Sequence, residues 1–247
     1  MNKSILIVGL GAREHAIIDK LSQSNNISTI YIFSSEDNIV LYSNNFCTIK
    51  NVDININTDI NYTKTVGYIK DNNIDFVFIG PEQHLCNGIV DILELNNIPC
   101  FGPNKYASQI ENSKIFSKTL MRNLNIPTAD YIIHTSSHTA IEQIKNTEEN
   151  TYVIKADGLA SGKGVFLPKI RSEAIENIVS IMDKKIFGDS GSKIIIEKKL
   201  YGKEISVFGF CNGSQVKLMP CVEDYKRSRD NNKGFNTGGM GSHGPVY

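Results

Sequence analysis

The sequence predicts a mixed α/β fold in which short strands alternate with helices around a largely parallel sheet. Runs rich in β-branched residues, such as ILIVGL near the start of the chain, alternate with amphipathic segments of helix length. Hydrophobic residues make up 40% of the 247 positions, which is enough to build one large core or several smaller ones. Because parallel strands need a crossover connection, usually a helix, this alternation is typical of β-α-β units.

The first block of the chain carries five strand-like runs separated by helical segments. The clearest buried strand is DFVFIG, a continuous apolar run that ends in a Gly-Pro pair. We expect Ala16, Ile17 and Leu21 to face inward in the first helix, and Val66 and Ile69 in the second. The predicted strands of this block cover residues 4–9, 29–33, 46–50, 75–80 and 98–101, and its predicted helices cover 13–22, 59–71 and 85–95.

The rest of the chain forms a second compact block and the beginning of a third. Its predicted helices cover residues 113–123, 137–145 and 172–184, and its predicted strands cover 129–133, 152–155 and the runs IIIEKKL, EISVFGF and VKLMP. A glycine-rich tail follows, so the last strands have few partners. Since unpaired strand edges are a liability, this pattern predicts an incomplete third unit.

The overall charge argues against polyanionic partners. Lys plus Arg and Asp plus Glu both number 26, so the formal net charge is zero. No whole-chain field therefore favours nucleic acid or an anionic membrane, and any anion site must be local. We expect small-molecule partners, no nucleic acid and no membrane.

The cysteines and the N-terminal segment predict a cytoplasmic location. Five cysteines are present without a C-x-x-C pair, which argues against a disulfide framework or a zinc site and favours a reducing compartment. The chain passes from MNKS directly into a strand-like run, so we expect no signal peptide, and no apolar run approaches membrane-spanning length.

The segment YVIKADGLASGKGV, residues 152–165, is the strongest functional signal. It places Lys155 at the end of an apolar run, followed by a loop with Gly158, Gly162, Lys163 and Gly164. Glycines allow several N–H groups to converge on one anion, and lysines neutralise its charge. The spacing does not match G-x-x-x-x-G-K-[ST], and VFLP follows as a strand. We therefore predict a β-hairpin whose tip covers a nucleotide; an ordinary glycine hairpin with solvated lysines is the alternative.

A second glycine segment, GLGAREH, lies where the first strand turns into a helix. N–H groups at the helix start could hold a phosphate. It is not the dinucleotide fingerprint, because G-x-G-x-x-G from Gly9 would need glycine at Glu14. Glu36 and Asp37 stand at a suitable distance for a ribose contact, which keeps an NAD-dependent dehydrogenase as an alternative.

Single residues around these segments have both a functional and a plain structural interpretation. Arg13 could be a surface residue, His15 a capping or core residue, and Lys114 a solvated helix lysine. The strand KIIIE leads into a connector that could offer its backbone to an adenine edge, with Glu197 at one end and Glu204 at the other. An edge-strand salt bridge is the alternative for Glu197.

The tail DYKRSRDNNKGFNTGGMG crowds basic side chains beside a glycine-rich turn. Lys226, Arg227 and Arg229 lie near Asn236 and Thr237 in sequence, which suits a loop that grips small anionic or zwitterionic substrates. A flexible charged chain end is the alternative.

Taken together, these segments resemble the phosphoribosylamine-glycine ligase family, also called glycinamide ribonucleotide synthetase, within the ATP-grasp superfamily. The likeness runs from residue 4 to the last residue and includes FVFIGPE, VIKADGLASGKGV, IIIEKKLYGKEIS and FNTGGMG. It implies a Rossmann-like N-terminal domain followed by an ATP-grasp lid and an incomplete ATP-grasp core. The implied segments are 1–102 for the N-terminal domain, 103–126 for a linker helix region, 127–190 for the lid and 191–247 for the start of the core.

The resemblance implies a reaction of de novo purine biosynthesis. ATP phosphorylates the carboxylate of glycine, and the amine of 5-phosphoribosylamine attacks the glycyl phosphate, giving glycinamide ribonucleotide, ADP and phosphate. Positioning and cancellation of phosphate charge dominate such catalysis. The implied cofactors are ATP and Mg²⁺ or Mn²⁺, and the implied oligomeric state is a monomer or weak dimer.

The family pattern also implies roles for individual residues. ATP would be bound by Lys114, Lys155, Gly158, Ser161, Gly162, Lys163, Gly164, Glu197, Lys199, Leu200 and Glu204. Phosphoribosylamine would be faced by Gly9, Gly11, Arg13, Glu14, Pro81 and Glu82. The catalytic group would be Lys226, Arg227, Asp230, Asn236, Thr237 and Gly238.

Several positions depart from the family pattern. The departures are Ala12, Gln83, His84, Tyr225, Asn231, Asn232 and Phe235. The Asn pair removes a carboxylate from the proposed substrate loop. The family's E-x-N-x-R metal-binding strand is absent, so we expect the metal ligands beyond residue 247, none in this chain, and a longer enzyme of which this part alone is inactive. A non-catalytic nucleotide-binding module and an ATP-grasp ligase for another carboxylate are the remaining alternatives.

Overall fold

The computed structural model describes residues 2–9, 11–33, 47–160, 163–231 and 233–246. The chain divides into two compact units, Met1–Leu120 and Met121–Tyr247. The finer division predicted at residues 102, 126 and 190 stays a prediction. In the parts of the chain that the structure describes, no helix is both long and apolar enough to cross a membrane.

The first unit contains a five-stranded parallel sheet in the order β3-β2-β1-β4-β5. Its strands are β1 (Lys3–Val8), β2 (Ile27–Phe33), β3 (Thr48–Val52), β4 (Phe76–Ile79) and β5 (Cys100–Phe101). Its helices are α1 (Ala12–Ser22), α2 (Thr63–Asp71), α3 (Glu82–Cys86), α4 (Ile89–Leu95), α5 (Gln109–Asn112) and α6 (Lys114–Asn123), which extends past the unit boundary. The predicted α/β class is confirmed.

The strand β1 is buried on both faces, as parallel sheets require. Leu6 and Val8 join a core that includes residues of α2 and α4, whereas Ile5 and Ile7 pack in a second core with Ile18 of α1. The strand order reverses between β1 and β4, since the chain leaves β1 towards β2 and later returns to its other side. Open α/β sheets bind ligands at the carboxyl ends of the strands at such a switch point.

Three predicted details of the helices are wrong. The fully buried residues of α1 are Glu14, Ile18 and Ser22, and Ala16, predicted to face inward, is exposed. The inward orientation predicted for Ile17 and Leu21 is confirmed, since both are partly buried against the second core. The helix predicted at 85–95 is divided in two by Gly88, whose φ of +88° ends one helix before the next begins. The helix predicted at 59–71 begins only at Thr63, after a 3₁₀ turn over Ile60–Tyr62.

The second unit begins with a four-stranded antiparallel sheet in the order β6-β9-β7-β8. Its elements are β6 (Tyr131–His134), α7 (Ser137–Lys145), β7 (Tyr152–Ala156), β8 (Val165–Phe166), α8 (Arg171–Ile178) and β9 (Ile194–Lys198). A π-helical turn, Val179–Asp183, continues α8. The helices α7 and α8 pack on one face of the sheet around Tyr152, Ile154 and Ile196.

The rest of the second unit consists of two antiparallel ribbons of two strands each. These are β10 (Gly209–Cys211) with β11 (Val216–Leu218), and β12 (Glu223–Arg229) with β13 (Lys233–His243). The prediction of a loop in the tail is wrong, because its glycines lie within β13. Gly239 and Gly241 adopt φ values of +134° and +151°, which lets this irregular strand keep pairing with β12.

Candidate functional site

The predicted substrate residues of the first unit meet at the switch point between β1 and β4. Gly9 and Gly11 follow β1, and Pro81 and Glu82 follow Gly80 at the end of β4. Gly9 has a φ of +106°, and a Cβ added there would lie 2.7 Å from two ring carbons of Pro81. Only glycine therefore allows the two loops to approach this closely. The sequence resemblance grouped these residues, and the structure places them at one sheet edge.

Glu14 is the buried centre of this arrangement, with 3% of its surface exposed. Its Oε2 accepts a hydrogen bond of 2.7 Å from the Gly11 N–H. Its Oε1 is buried and has no hydrogen-bond partner in the described residues. Cβ atoms added at Gly11 or Gly80 would lie 2.8 Å from Oε2 and 2.1 Å from Oε1, respectively. The glycines of these loops thus enclose a carboxylate.

The position of Glu14 changes the chemistry predicted for the start of α1. The Gly11 N–H that could have bound a phosphate already donates to this carboxylate. A negative side chain in the first helical turn is stabilised by the helix dipole, and it repels a second anion. The loop is therefore better suited to a hydroxyl or amine donor than to a phosphate.

Arg13 and Glu82 form a two-point ion pair between the two loops. Arg13 Nη1 and Nη2 lie 2.7 Å and 3.2 Å from the two carboxylate oxygens of Glu82. The hydrogen bond from Arg13 lowers the pKa of Glu82, and the same bond raises the pKa of Arg13. Both side chains are substantially exposed, at 67% and 39%. Exposed ion pairs contribute little to stability, so the main effect of this pair is to fix the charges and the relative position of the loops after β1 and β4. The space between these two loops is called the switch-point crevice below.

We predict that Arg13→Gln returns the pKa of Glu82 towards its ordinary value while leaving the fold intact. A carboxylate with a depressed pKa contributes stability above its unfolded pKa and loses it as the pH falls through the folded pKa. For an exposed pair this contribution is no more than about 1 kcal/mol. Carboxyl ¹³C NMR titration measures the shift.

The control for this prediction is Lys3→Gln, which removes the exposed Lys3–Asp75 pair of the same unit. It should raise the pKa of Asp75, which the Lys3 hydrogen bond lowers, and leave Glu82 unchanged. An unaltered Glu82 titration in the Arg13→Gln protein would contradict the assignment of the ion pair.

In the second unit, Lys155 and Glu197 form an ion pair on the face of the sheet that faces away from α7 and α8. Val153 lies opposite Glu197 and Lys155 opposite Ile195, so these four side chains share one face. Glu197 is 7% exposed and Lys155 26%. The alternative of an edge-strand salt bridge for Glu197 is right about the salt bridge and wrong about the edge, because β9 lies between β6 and β7.

The predicted hairpin is confirmed by the antiparallel pairing of β7 with β8. Its loop closes through a 2.9 Å hydrogen bond from the Ala156 N–H to the Gly164 carbonyl. Gly158 donates its N–H to the Ser190 carbonyl at 3.2 Å, and a Cβ there would lie 2.5 Å from Ser190 Oγ. Packing against Ser190, which the sequence did not indicate, is thus one reason for this glycine.

Two further positions of the loop carry predicted ATP contacts. A Cβ at Gly164 would lie 2.7 Å from Ala160 Cβ, so this glycine also permits a close approach within the loop. Lys163 is exposed and donates its backbone N–H to Ala160. Ser161 and Gly162, also assigned to ATP, lie outside the described residues.

The connector after β9 holds the residues assigned to adenine and ribose. The Lys199 N–H donates to the Thr151 carbonyl at 2.8 Å, and its ammonium group donates to Asn150 Oδ1 at 2.6 Å. Leu200 is 69% exposed. The Lys199 N–H is therefore already engaged by the sheet.

Glu204 forms an ion pair with Lys226. The family pattern assigned Glu204 to ATP and Lys226 to the catalytic group. Lys226 Nζ lies 2.8 Å from Glu204 and 3.6 Å from Asp224, and the hydrogen bond to Glu204 raises the pKa of Lys226. Sequence reasoning missed Asp224. The alternation of β12 was the available signal, since residues two apart on a strand share a face.

The remaining tail residues lie along the β12–β13 ribbon. Arg227 Nη1 donates to the Gly234 carbonyl, and Thr237 Oγ1 donates to the Lys226 carbonyl, both at 2.9 Å. Asp230 lies in the turn between the strands. The positions of Asn236 and Gly238 are described for the backbone alone, and Asn236 is paired with Arg227 in the ribbon.

Four other predicted features have separate outcomes. Lys114 is the first residue of α6 and is partly buried. His15 is exposed, so the core interpretation is wrong. Glu36 and Asp37 lie outside the described residues. In the described ranges, no group of three or more His, Cys, Asp and Glu side chains could hold a metal ion.

Family models match nearly the whole chain. The N domain of phosphoribosylglycinamide synthetase matches residues 3–111, and its ATP-grasp (A) domain matches residues 112–247. The alignment with phosphoribosylamine-glycine ligase of Rhodopirellula baltica has 38% identity and covers 98% of this chain and 55% of that protein. The trifunctional purine biosynthetic protein adenosine-3 of Chironomus tentans is 39% identical over 98% of this chain and 17% of its own length.

Solved structures show the same architecture. The phosphoribosylamine-glycine ligase of Thermotoga maritima superposes with a TM-score of 0.77 at 28% identity, covering 99% of this chain and 56% of that one. The biotin carboxylase domain of Hydrogenobacter thermophilus 2-oxoglutarate carboxylase superposes with a TM-score of 0.70 at 18% identity. That alignment covers 94% of this chain and 52% of the other. The latter likeness shows the ATP-grasp fold alone.

The chain spans about half the length of the single-function ligases that it matches, namely 55% of the Rhodopirellula protein. Within that span, the order of the motifs, the two matched domain models and the fold agree. The chain belongs to the phosphoribosylglycinamide synthetase family and contains its N domain and its ATP-grasp (A) domain.

Proposed function

We propose that the chain is part of an ATP-dependent ligase. This ligase joins glycine to 5-phosphoribosylamine and yields glycinamide ribonucleotide, ADP and phosphate. Its family membership supports this reaction over the dehydrogenase alternative. The single observation that carries the proposal is the Lys155–Glu197 pair beside a hairpin loop in which Gly158 and Gly164 cannot accept a Cβ without a clash. When bound, ATP would supply the phosphoryl group that converts the glycine carboxylate into an acyl phosphate.

The second unit fits a bound nucleotide. Lys155 is the cation that would hold the phosphates, and Glu197 keeps it on the sheet face. The loop after β7 would cover the phosphates and exclude water, with Lys163 adding charge at its rim. The other proposed nucleotide contacts of this unit are Gly158, Ser161, Gly162, Gly164, Lys199, Leu200 and Glu204. Lys114, which the family pattern also assigns to ATP, belongs to the first unit.

The crevice of the first unit fits the phosphoribosylamine. Glu14 and Glu82 offer carboxylate oxygens to hydroxyl or amine donors, and Arg13 offers a planar cation to an anionic group. Gly9, Gly11 and Pro81 shape the loops around them. Since Glu14 repels phosphate, we place the amine or ribose end of the substrate, and not its phosphate, at the start of α1.

The ribbon of the second unit would contact the reacting substrates. Lys226 lies between two carboxylates and is therefore kept charged, which suits an interaction with the glycine carboxylate or the departing phosphate. Arg227, Asp230, Asn236, Thr237 and Gly238 are the other members of the proposed catalytic group. Mg²⁺ or Mn²⁺ is part of the proposal as the ion that would neutralise the charge of the ATP phosphates.

Thermal unfolding with added ligands tests this function. ATP at one hundred times its Kd should raise the free energy of unfolding by about 2.7 kcal/mol, and GTP should not. Glycinamide ribonucleotide should stabilise the protein further in the presence of ADP. Stabilisation by ATP without any response to glycinamide ribonucleotide would favour the two alternatives, a non-catalytic nucleotide module or an ATP-grasp ligase for another carboxylate. No response to ATP would overturn all three.

A further inference from the structure

A cavity of about 290 Å³ opens in the first unit beside α3 and has no role in the proposed reaction. It is walled by the segment after β3, by the turn that precedes α2, and by residues of α3 and α4. Its rim carries the polar side chains of Asn57, Asn87 and Lys105, all of them exposed. Its volume is at the lower end of the range of small-molecule sites, so it suits a ligand of monosaccharide size.

The buried part of the cavity is a polar chain formed by Tyr62 and His84. Their side chains are 5% and 6% exposed, and Tyr62 Oη lies 3.2 Å from His84 Nδ1. The two rings meet edge to face at 5.9 Å, and the Tyr62 hydroxyl also lies 3.5 Å from the His84 carbonyl. Burial lowers the pKa of His84, so its neutral ring has one donor and one acceptor nitrogen.

The backbone that presents Tyr62 is strained. Asn61 and Tyr62 are consecutive left-handed residues with φ of +54° each. A bulky aromatic residue is an outlier in this region, and strain of this kind persists mainly at functional sites where the surroundings enforce it. Here the strained turn carries the Tyr62 hydroxyl to His84.

The cavity is lined by one carboxylate and one ammonium group. Among the described residues that line it, Asp59 and Lys105 are the formally charged ones. The Asp59 carboxylate already accepts hydrogen bonds from the Lys64 N–H, the Thr65 N–H and Thr65 Oγ1. The carboxylate is thereby held against the start of α2, whereas the Lys105 ammonium group is exposed at the rim, where it can meet an anionic group of a ligand. The carboxamides, the phenol and the imidazole can pair with hydroxyl groups.

We propose that this cavity binds a small hydroxylated anion, with Lys105 at the anionic group and with Tyr62, His84 and Asn87 at the hydroxyl groups. The site does not depend on the ligase reaction.

Two-dimensional ¹H–¹⁵N NMR of the 247-residue protein tests the proposal. Ribose 5-phosphate should shift the side-chain amide signals of Asn57 and Asn87 and the ring signals of His84 in a saturable way. Its affinity should exceed that of ribose or inorganic phosphate alone by at least tenfold. Tighter binding of malate at the same signals would also support the site and would identify a hydroxycarboxylate as its ligand. If inorganic phosphate alone binds as well as ribose 5-phosphate, the proposal is overturned.

Single substitutions distinguish ligand binding in the cavity from ligand binding at the switch-point crevice. Lys105→Ala and Tyr62→Phe should each weaken binding at least fivefold, whereas Lys64→Ala, which alters an exposed lysine outside the lining, should not. Lys105 is exposed, so its replacement leaves the fold intact. Arg13→Ala should leave the cavity titration unchanged even if it abolishes binding at the crevice. Equal affinity in the wild-type and Lys105→Ala proteins would overturn the proposal.

Discussion

Replacing Lys155 with alanine is expected to abolish stabilisation by ATP and to lower the free energy of unfolding of the second unit. Two separate effects combine. The proposed phosphate contact is lost, and Glu197, which is 7% exposed, loses the cation that faces it. Breaking a buried ion pair by removing one partner costs about 3 kcal/mol or more. Denaturant unfolding with and without ATP measures both effects.

A double variant separates stability from binding. Lys155→Met with Glu197→Gln removes both charges and keeps similar volumes, so it should recover most of the lost stability. It should not recover ATP binding, because the cation is still absent. The matched control is Lys145→Ala, which removes an ion pair that is about half exposed on both sides and should cost less than about 1 kcal/mol. Undiminished ATP stabilisation in Lys155→Ala would refute the assignment of Lys155 to the ATP phosphates.

Replacing Gly80 with alanine is expected to destabilise the first unit by about 2 kcal/mol, in the range measured for overpacked sites. The added Cβ would lie 2.1 Å from Glu14 Oε1 and 2.7 Å from its Cδ and Cγ. Gly80 has no positive φ, so the effect comes from this collision and not from backbone strain. The displaced Glu14 should also weaken binding of glycinamide ribonucleotide.

The collision with Glu14 can be tested by a double-mutant cycle. Glu14→Ala should be destabilising alone but should suppress most of the cost of Gly80→Ala, giving a coupling energy of about 1 kcal/mol or more. Gly67→Ala is the matched control: Gly67 lies in α2 with no atom within 4 Å of its added Cβ. Alanine there should stabilise the helix by about 0.5–1 kcal/mol. Equal stability of Gly80→Ala and the wild type would contradict the structure at this edge.

Much of the local structure could be predicted because it depends on residues close together in the chain. The helix over Ser137–Lys145 and the hairpin of β7 and β8 follow from apolar spacing and from glycine between two short strands. The breaks at Gly88 and at Tyr62 could not be predicted in the same way. Each break depends on how the helix that follows it packs on the sheet, and that packing is decided by contacts between residues distant in sequence.

The functional residues divide along the same line. Lys155 and the glycines behind it were identified from their spacing alone, and the family resemblance was confirmed by the matched domain models. The pairing of Lys155 with Glu197, 42 positions later, and the contact of Gly158 with Ser190 depend on which strands become neighbours. Periodicity in a single sequence carries no information about that order.

By itself, the sequence determined the α/β class, most of the strands and helices before residue 199 within a few residues, the family, and the residue types available for phosphate chemistry. Only the tertiary structure decided that Glu14 is buried against the Gly11 N–H, that Arg13 is held by Glu82, and that Tyr62 reaches His84. The physical reason is that local conformation is set by short-range sterics and apolar spacing, whereas the partner of a buried polar group is chosen by the packing of distant segments.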